Sequence, residues 1–368
     1  MRLMSTAKEP PFDHAHRPAT GVLMVNLGTP DAPTPAALRR YLGQFLSDPR
    51  VVEIPRLVWL PILHGIILRT RPKASAAKYA SIWTQQGSPL RVWTDRQATL
   101  LQGYLGERGH RVTVRWAMRY GQPSIASALD AFKAEGVRRL LVVPLYPQYS
   151  GATTASVMDD VFAWGRRTRL LPELRTINHF HDDSRYVDVL ADSVRRHWQA
   201  QGRGDKLVMS FHGMPERTLH LGDPYHCHCH KTARLLAEKL GLGKNDYVVT
   251  FQSRFGRAKW LEPYTEPTLR ALGKAGTKRV DVICPAFVSD CIETLEEIAM
   301  EGKQAFISSG GQAFSYIPCL NDGHAWITAL SSICEQHLMG WPTRAEDQAT
   351  QSDLLATAQR AKALGAKR

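Results

Sequence analysis

Short apolar runs alternate along the chain with amphipathic segments of helical period. The first run is closed by a Gly-Thr-Pro turn, which is typical of a buried parallel strand. Similar runs recur through both halves of the chain, with helical patterns between them. The predicted strands cover residues 21–28, 111–118, 139–145, 174–180, 206–211, 246–251, 279–285 and 313–317.

This alternation predicts an α/β fold. Parallel strands joined by helices form sheets that are covered by helices on both faces. Four strands in each half therefore indicate two similar doubly wound domains, each with a four-stranded parallel sheet flanked by helices. We divide the chain into an N-terminal arm, two domains and a charged helical tail, at residues 1–20, 21–182, 183–340 and 341–368.

An apolar segment at residues 51–68 resembles a membrane span in composition but not in continuity. Glu53, Arg56 and His64 interrupt it, and two prolines break it. A spanning helix needs about 20 largely uninterrupted apolar residues, so we do not expect this segment to cross a membrane. Its side chains could pack in the core, line a ligand cleft or contact a membrane surface.

Charge narrows the possible partners only in part. The 47 basic and 34 acidic residues among 368 give a formal charge of +13, which favours anionic partners. The basic residues are spread along the chain and form no recognised nucleic-acid module, so no nucleic-acid partner is expected. Six irregularly spaced cysteines and an N-terminal region without an apolar core predict a cytoplasmic protein.

Polar side chains follow the predicted strands at the edge where parallel sheets bind ligands. His212 comes directly after one strand and can act as a base near neutral pH or as a metal ligand. Glu293 opens a helix after a neighbouring strand. Each residue alone could be structural, since a carboxylate is favoured at a helix start in any case. Together they form a candidate site for a divalent ion such as Fe²⁺.

A His-Cys-His-Cys-His run at residues 226–230 is a second candidate for metal binding. No second Cys/His pair stands at zinc-finger distance. The run lies between a Gly-Asp-Pro turn and a predicted helix, where it could equally be a polar surface segment. The sequence leaves open whether Cys227 and Cys229 bind a metal or a cluster.

Eight motifs then occur in an order that is typical of one enzyme family. They are VNLGTP at 25–30, IWTQQGSPL at 82–90, MRYGQPSI at 118–125, PLYPQYS at 144–150, SFHGMPER at 210–217, GDPY at 222–225, TFQSRFG at 250–256 and FVSDCIETLEEI at 287–298. In these motifs the chain resembles the ferrochelatases of Gram-negative bacteria. Those enzymes insert Fe²⁺ into protoporphyrin IX to form protohaem.

The resemblance implies two Rossmann-like domains around a cleft and a role for each matching residue. His212 and Glu293 would be the catalytic and metal-binding pair, with Glu297 on a proton or metal path. Residues 51–71 would form an apolar lip over the pocket. The implied substrate-binding residues are Leu27, Arg71, Tyr79, Ser88, Arg119, Tyr120 and Ser253.

The resemblance also implies partners. Protoporphyrin IX and Fe²⁺ are the expected substrates, with no further cofactor, and a monomer that touches the inner membrane peripherally is expected. Animal members hold a [2Fe–2S] cluster in a cysteine-rich tail; residues 343–368 contain no cysteine, so that cluster is not expected. The alternatives are a chelatase acting on coproporphyrin or sirohydrochlorin, and a non-catalytic porphyrin or haem carrier.

Overall fold

A computed structural model describes residues 9–256 and 258–367 as two parallel sheets. The first sheet has the strand order β2-β1-β3-β4 and the second has the order β6-β5-β7-β8. The α/β fold with two four-stranded parallel sheets is therefore confirmed. The strands are β1 (Ala19–Gly28), β2 (Val112–Tyr120), β3 (Val137–Pro144), β4 (Glu173–Thr176), β5 (Lys206–His212), β6 (Tyr247–Gln252), β7 (Arg279–Ile283) and β8 (Ala313–Tyr316).

Helices connect the strands and cover both sheets. Three short π-helical segments run directly into helices, at Leu63–Ile67, Gly151–Ala155 and Glu293–Gly302. The α-helices are α1 (Pro35–Leu46), α2 (Arg56–Ile62), α3 (Leu68–Ile82), α4 (Pro89–Glu107), α5 (Ile125–Ala134), α6 (Ser156–Gly165), α7 (Ser184–Gln201), α8 (Glu216–His220), α9 (Tyr225–Leu240), α10 (Thr265–Lys274), α11 (Lys303–Ile307), α12 (His324–Leu338) and α13 (Gln351–Ala363).

The chain ends are tied to the domains more closely than their polar sequences suggest. Glu9 pairs with the buried Lys133 at 2.7 Å, so the arm is anchored from its first described residue. At the other end the tail is helical only from Gln351, because Thr350 caps that helix in a capping box with Asp353. Before the cap, the Thr343 carbonyl accepts the Arg111 N–H at 2.6 Å. The division at residues 182 and 183 stays a prediction.

One hydrophobic core joins the two sheets. Its largest cluster takes Val22 from β1, Leu101 from α4, Tyr186 from α7, Met209 from β5 and Trp326 from α12, all of them fully buried. Because helices of each half pack against the other half, the two sheets cannot separate without exposing this cluster. The core therefore holds the two sheets at a set distance and angle.

The shared core predicts cooperative unfolding. Leu101→Ala should destabilise the protein by about 2–5 kcal/mol, because the cavity left in a fully buried cluster relaxes only partly. Leu364→Ala, at a side chain that is 91% exposed, is the control and should change stability by less than about 0.5 kcal/mol. Denaturant unfolding followed by circular dichroism and tryptophan fluorescence should show one transition; two transitions, with only one shifted, would contradict a shared core.

Candidate active site

A cavity of about 530 Å³ opens where the carboxyl ends of the two sheets approach each other. Residues at or just after the carboxyl ends of β1, β3, β5 and β7 line it, together with the segment before α3. Its size is that of a small-molecule site. The walls are mostly apolar and include Leu27, Phe45, Trp59, Leu145, Met214 and Phe287.

His212 is the last residue of β5 and lines this cavity half-buried. Its Nδ1 lies 2.7 Å from the Gly213 carbonyl oxygen. Since a carbonyl can only accept, Nδ1 carries the proton and the neutral ring keeps its lone pair on Nε2. Gly213 is required here, because a Cβ would lie 2.5 Å from the Gln252 carbonyl. The backbone thus holds the imidazole in one tautomer.

Glu293 lines the same cavity from the start of the third π-helical segment. Its backbone carbonyl accepts a hydrogen bond from Gln252 Nε2 at 2.7 Å, which ties the segment to β6. The structure therefore brings the two residues of the predicted pair together, on neighbouring strand ends of one sheet. Their catalytic roles stay predictions.

Glu297 lies one turn beyond Glu293, behind the cavity wall. Ser253 donates its N–H and its hydroxyl to the two carboxylate oxygens, at 2.6 and 2.5 Å. Burial raises the pKa of Glu297 even though these hydrogen bonds act to lower it. Ser253 has a φ of 65°, a left-handed conformation that is costly for a non-glycine residue and concentrates at functional sites.

Two other carboxylates of the same π-helical segment form ion pairs with one lysine. Lys78 of α3 lies 3.0 Å from the buried Glu296 and 2.8 Å from Glu301. The sequence analysis missed Lys78 because it belongs to the other half of the chain and to no motif. Its ion pairs join α3, which continues from the predicted lip, to the π-helical segment that carries Glu293.

Arg119 and Tyr120, predicted to bind substrate, do not line the cavity. The Arg119 guanidinium donates to Asp48 at 2.6 Å and to Asp160 at 2.8 Å, and the Tyr120 hydroxyl donates to Asp48 at 2.7 Å. The Ser156 hydroxyl donates to the same Asp48 oxygen at 2.6 Å. Both predicted residues therefore hold the wall of the cavity through Asp48, and direct contact with a substrate stays a prediction.

Asp48 is a functional residue that sequence reasoning missed. Burial alone would raise its pKa, but hydrogen bonds from Ser156, the Arg50 N–H and Tyr120 lower the pKa below its usual value. Its carbonyl also accepts the N–H groups of Val51 and Val52, at 3.1 and 3.0 Å. Asp48 thereby sets where the lip begins, although nothing in its sequence neighbourhood marks it.

The remaining predicted residues divide into two groups. Leu27 and Arg71 line the cavity. Tyr79 and Ser88 are buried away from it: Tyr79 packs edge-on against Tyr41, and Ser88 accepts the Thr29 hydroxyl at 2.7 Å. Their proximity to the wall is consistent with support of the cavity rather than contact with its contents.

The predicted lip at residues 51–71 is helical from Arg56 onward, and its side chains lie in three environments. Trp59 and Ile67 line the cavity, and the Trp59 Nε1–H donates to the Leu46 carbonyl at 2.6 Å. Leu63 is fully buried in a small cluster and does not line the cavity. Leu57 is 93% exposed. No helix in the described part of the chain is long and apolar enough to cross a membrane.

The sequence suggested that the cysteine-containing run precedes a helix. In the structure the run forms the first turns of α9. Cys227 is exposed, whereas Cys229 is fully buried in the shared core. Residues two apart on a helix point in different directions, which explains why the two thiols are not neighbours on one surface. That the protein holds no iron–sulfur cluster stays a prediction.

The architecture defines the class of protein first. The solved structure of SirB from Bacillus subtilis with Fe³⁺ is similar at a TM-score of 0.51 and 11% identity, over 86% of this chain and 95% of that one. At that identity the likeness concerns the fold alone, which is that of the chelatases.

Sequence comparisons then show the family. The family model for ferrochelatase matches residues 19–338. Ferrochelatase of Methylibium petroleiphilum is 64% identical over 99% of both chains, and that of a Polaromonas species is 63% identical over 99% of this chain and 100% of the relative. The chain belongs to the ferrochelatase family, the enzymes that insert Fe²⁺ into protoporphyrin in haem biosynthesis.

The Asp48 network predicts a pH-dependent contribution to stability. Asp48→Asn should lower the free energy of unfolding by roughly 3 kcal/mol at neutral pH. The substitution removes the carboxylate that lies closest to the mostly buried Arg119 guanidinium. The folded-state pKa of Asp48 is lowered. Its contribution is therefore complete above the unfolded value of about 3.9 and disappears as the pH falls through the folded value.

Unfolding by urea at several pH values measures this contribution. The difference between wild type and Asp48→Asn should be constant near neutrality and shrink below about pH 4. Asp31→Asn, which removes an exposed pair with Arg40, is the control and should cost less than about 1 kcal/mol. A difference for Asp48→Asn that grows on acidification would contradict the sign of the effect.

Proposed function

We propose that the apolar cavity holds the porphyrin while His212 accepts pyrrole protons and Glu293 carries the incoming Fe²⁺. The observation that supports this most strongly is the pairing of a half-buried imidazole, with its lone pair on Nε2, and a carboxylate in one apolar cavity. A free-base porphyrin is a broad apolar disc, and apolar walls on both sides match that shape.

The reaction requires the removal of two protons from the ring nitrogens. A neutral imidazole in the cavity can accept such a proton at the lone pair of Nε2. Glu293 offers an oxygen ligand, which binds a divalent ion weakly enough for the ion to pass to four ring nitrogens. Weak binding is useful here, because the metal must leave the protein.

Glu297 is the next acceptor for the departing protons in this scheme. Burial raises its pKa, which makes the carboxyl better able to take up a proton than an exposed glutamate is. Glu296, the preceding residue, pairs with Lys78, which also pairs with the exposed Glu301. The proposed direction is from His212 through the glutamates to solvent.

Arg71 is the proposed partner of a porphyrin propionate. Arg50 is paired with Asp159 at 2.5 Å and Arg217 with Glu53 at 2.6 Å. Arg71 lines the cavity from α3 and forms no ion pair with the described residues. A carboxylate at that edge of the disc would meet a guanidinium that has no competing partner in the described part of the chain.

The pair His212 and Glu293 is tested by anaerobic incubation with protoporphyrin IX and Fe²⁺. His212→Ala and Glu293→Gln should each lower the turnover number by about 100-fold or more, the range for loss of a positioned acid or base. Porphyrin affinity, measured by fluorescence, should change little. His220→Ala, at an exposed histidine of α8, is the control.

Near-normal turnover by a folded His212→Ala protein would remove the imidazole from the mechanism. A Glu293→Gln protein that loses only porphyrin affinity would contradict the metal role. Coproporphyrin and sirohydrochlorin in the same assay test the alternative substrates, and binding of porphyrin without Fe²⁺-dependent turnover by wild type would indicate a carrier.

The exposed part of the lip is proposed to contact a membrane surface. Leu57, Val58 and Ile66 present apolar side chains to solvent, and Arg56 and Arg69 lie exposed among them. Apolar side chains with flanking basic residues are typical of attachment to an anionic bilayer surface. We propose that the protein is a cytoplasmic monomer that meets the inner membrane with this face, beside the cavity entrance.

The membrane contact predicts a variant that loses binding without losing stability. Replacing Leu57, Val58 and Ile66 together with Ser should abolish co-sedimentation with phosphatidylglycerol vesicles, because exposed side chains contribute little to the free monomer. The melting temperature should hardly change. Leu63→Ser is the matched control: it lies in the same segment but is fully buried, and should cost several kcal/mol. Unchanged vesicle binding by the triple variant would contradict the proposal.

A further inference from the structure

Three histidines from two separate parts of the chain meet outside the active-site cavity. His179 and His181 lie in the connection between β4 and α7, and His228 lies in the first turns of α9. One nitrogen from each ring can be chosen so that all three lie within 4.8 Å of one another. In the described part of the chain, this is the only group of three or more potential metal-ligating side chains that are so close.

One ring nitrogen of His181, the buried member of the group, has no hydrogen-bond partner among the described residues. His181 is 3% exposed, and its Nε2 is buried without a partner among the described residues. Its Nδ1 lies 3.2 Å from Nδ1 of His179. Two nitrogens bound at 2.0–2.1 Å to one tetrahedral ion lie about 3.3 Å apart. The two Nδ1 atoms therefore already have the spacing of two ligands on one metal ion, and the proton of the His181 ring would then be on Nε2.

Charged and polar groups around the rings favour a cation. An oxygen of Asp182 lies 3.7 Å from His181 Nδ1 and 4.0 Å from His179 Nδ1. The other Asp182 oxygen pairs with Lys231 at 2.5 Å, which offsets part of the attraction of this carboxylate for a cation. The Thr232 hydroxyl donates to the His181 carbonyl at 2.9 Å, which holds the backbone of the connection against α9.

His228 can complete the group by a ring rotation. Its ring stacks on His181 with centroids 3.7 Å apart, and its Nδ1 receives only a 3.3 Å hydrogen bond from the Tyr149 N–H. The nitrogens lie within 4.8 Å of one another, and tetrahedral binding requires separations of about 3.3 Å. His179 is exposed and His228 is half-buried, so both rings have solvent on one side. Rotation of the His228 ring would replace its stacking on His181 and its hydrogen bond from Tyr149 by a bond to the ion.

We propose that His179, His181 and His228 bind one divalent late transition-metal ion, of the class of Zn²⁺, Co²⁺ and Ni²⁺, at a site separate from the insertion site. Imidazole ligands suit these ions and do not suit Mg²⁺ or Ca²⁺. The cysteines of the same run take no part: Cys229 is fully buried in the shared core, and Cys227 is exposed outside the group of three.

A bound ion would clamp the connection after β4 to α9. The link continues to the active-site cavity, since Gln148, which lines the cavity, donates to the Thr232 hydroxyl at 3.0 Å. Thr232 in turn contacts the His181 backbone. The site is thus placed to stabilise the contact between the two halves of the chain near the rear wall of the cavity.

Co²⁺ alone tests the site, with the full-length untagged protein and no porphyrin. Equilibrium dialysis and visible absorption should show one ion per chain with the bands of tetrahedral cobalt. The His212→Ala protein should keep this ion, which separates the site from the insertion site. His179→Ala and His228→Gln should weaken its binding by at least about 100-fold, more than the loss of an outer hydrogen bond does.

His226→Ala is the matched control, since it removes a histidine of the same helix that packs against His230 and Phe251 instead. It should bind Co²⁺ as wild type does, and an excess of Mg²⁺ should not displace the ion. Circular dichroism checks that each variant is folded. Unchanged Co²⁺ binding in His179→Ala and His228→Gln, or loss of the ion in His212→Ala alone, would overturn the proposal.

Discussion

The packing of helices from both halves into one hydrophobic core is the constraint on which the rest of the molecule depends. Leu101, Tyr186 and Trp326 are fully buried in that cluster and come from three different helices. Because the cluster excludes water from the contact between the two sheets, their carboxyl ends are held facing one cavity. Each half alone could supply only half of the walls.

The chemistry of the cavity follows from the position of each polar group relative to this core. His212 stands at the end of a strand, where its backbone neighbour Gly213 orients the ring. Glu297 lies one helical turn beyond Glu293, behind the cavity wall, where burial raises its pKa. A half-buried imidazole therefore lies at the cavity with a buried carboxyl behind the wall, which is the arrangement that the proposed removal of protons from a bound ring would use.

A second set of contacts supports the cavity from behind. Asp48 collects hydrogen bonds from Arg119, Tyr120 and Ser156 and so joins β2, α6 and the start of the lip. Lys78 performs a comparable task on the other side by pairing with Glu296. These contacts position the lip and the π-helical segment that begins at Glu293. Both segments contribute residues to the walls of the cavity.

The sequence by itself determined the succession of strands and helices in each half, the position of His212 after a strand and of Glu293 at a helix start, and the family. Period-two and period-3.6 patterns are local, so they can be read along the chain, and a parallel sheet places its functional residues at one edge. Only the tertiary structure decided that Arg119 binds Asp48, that Leu63 is buried and that His228 meets His179 and His181. Arg119 and Asp48 are 71 positions apart along the chain, and the other contacts join residues of separate elements. No local pattern encodes a partner that is distant along the chain.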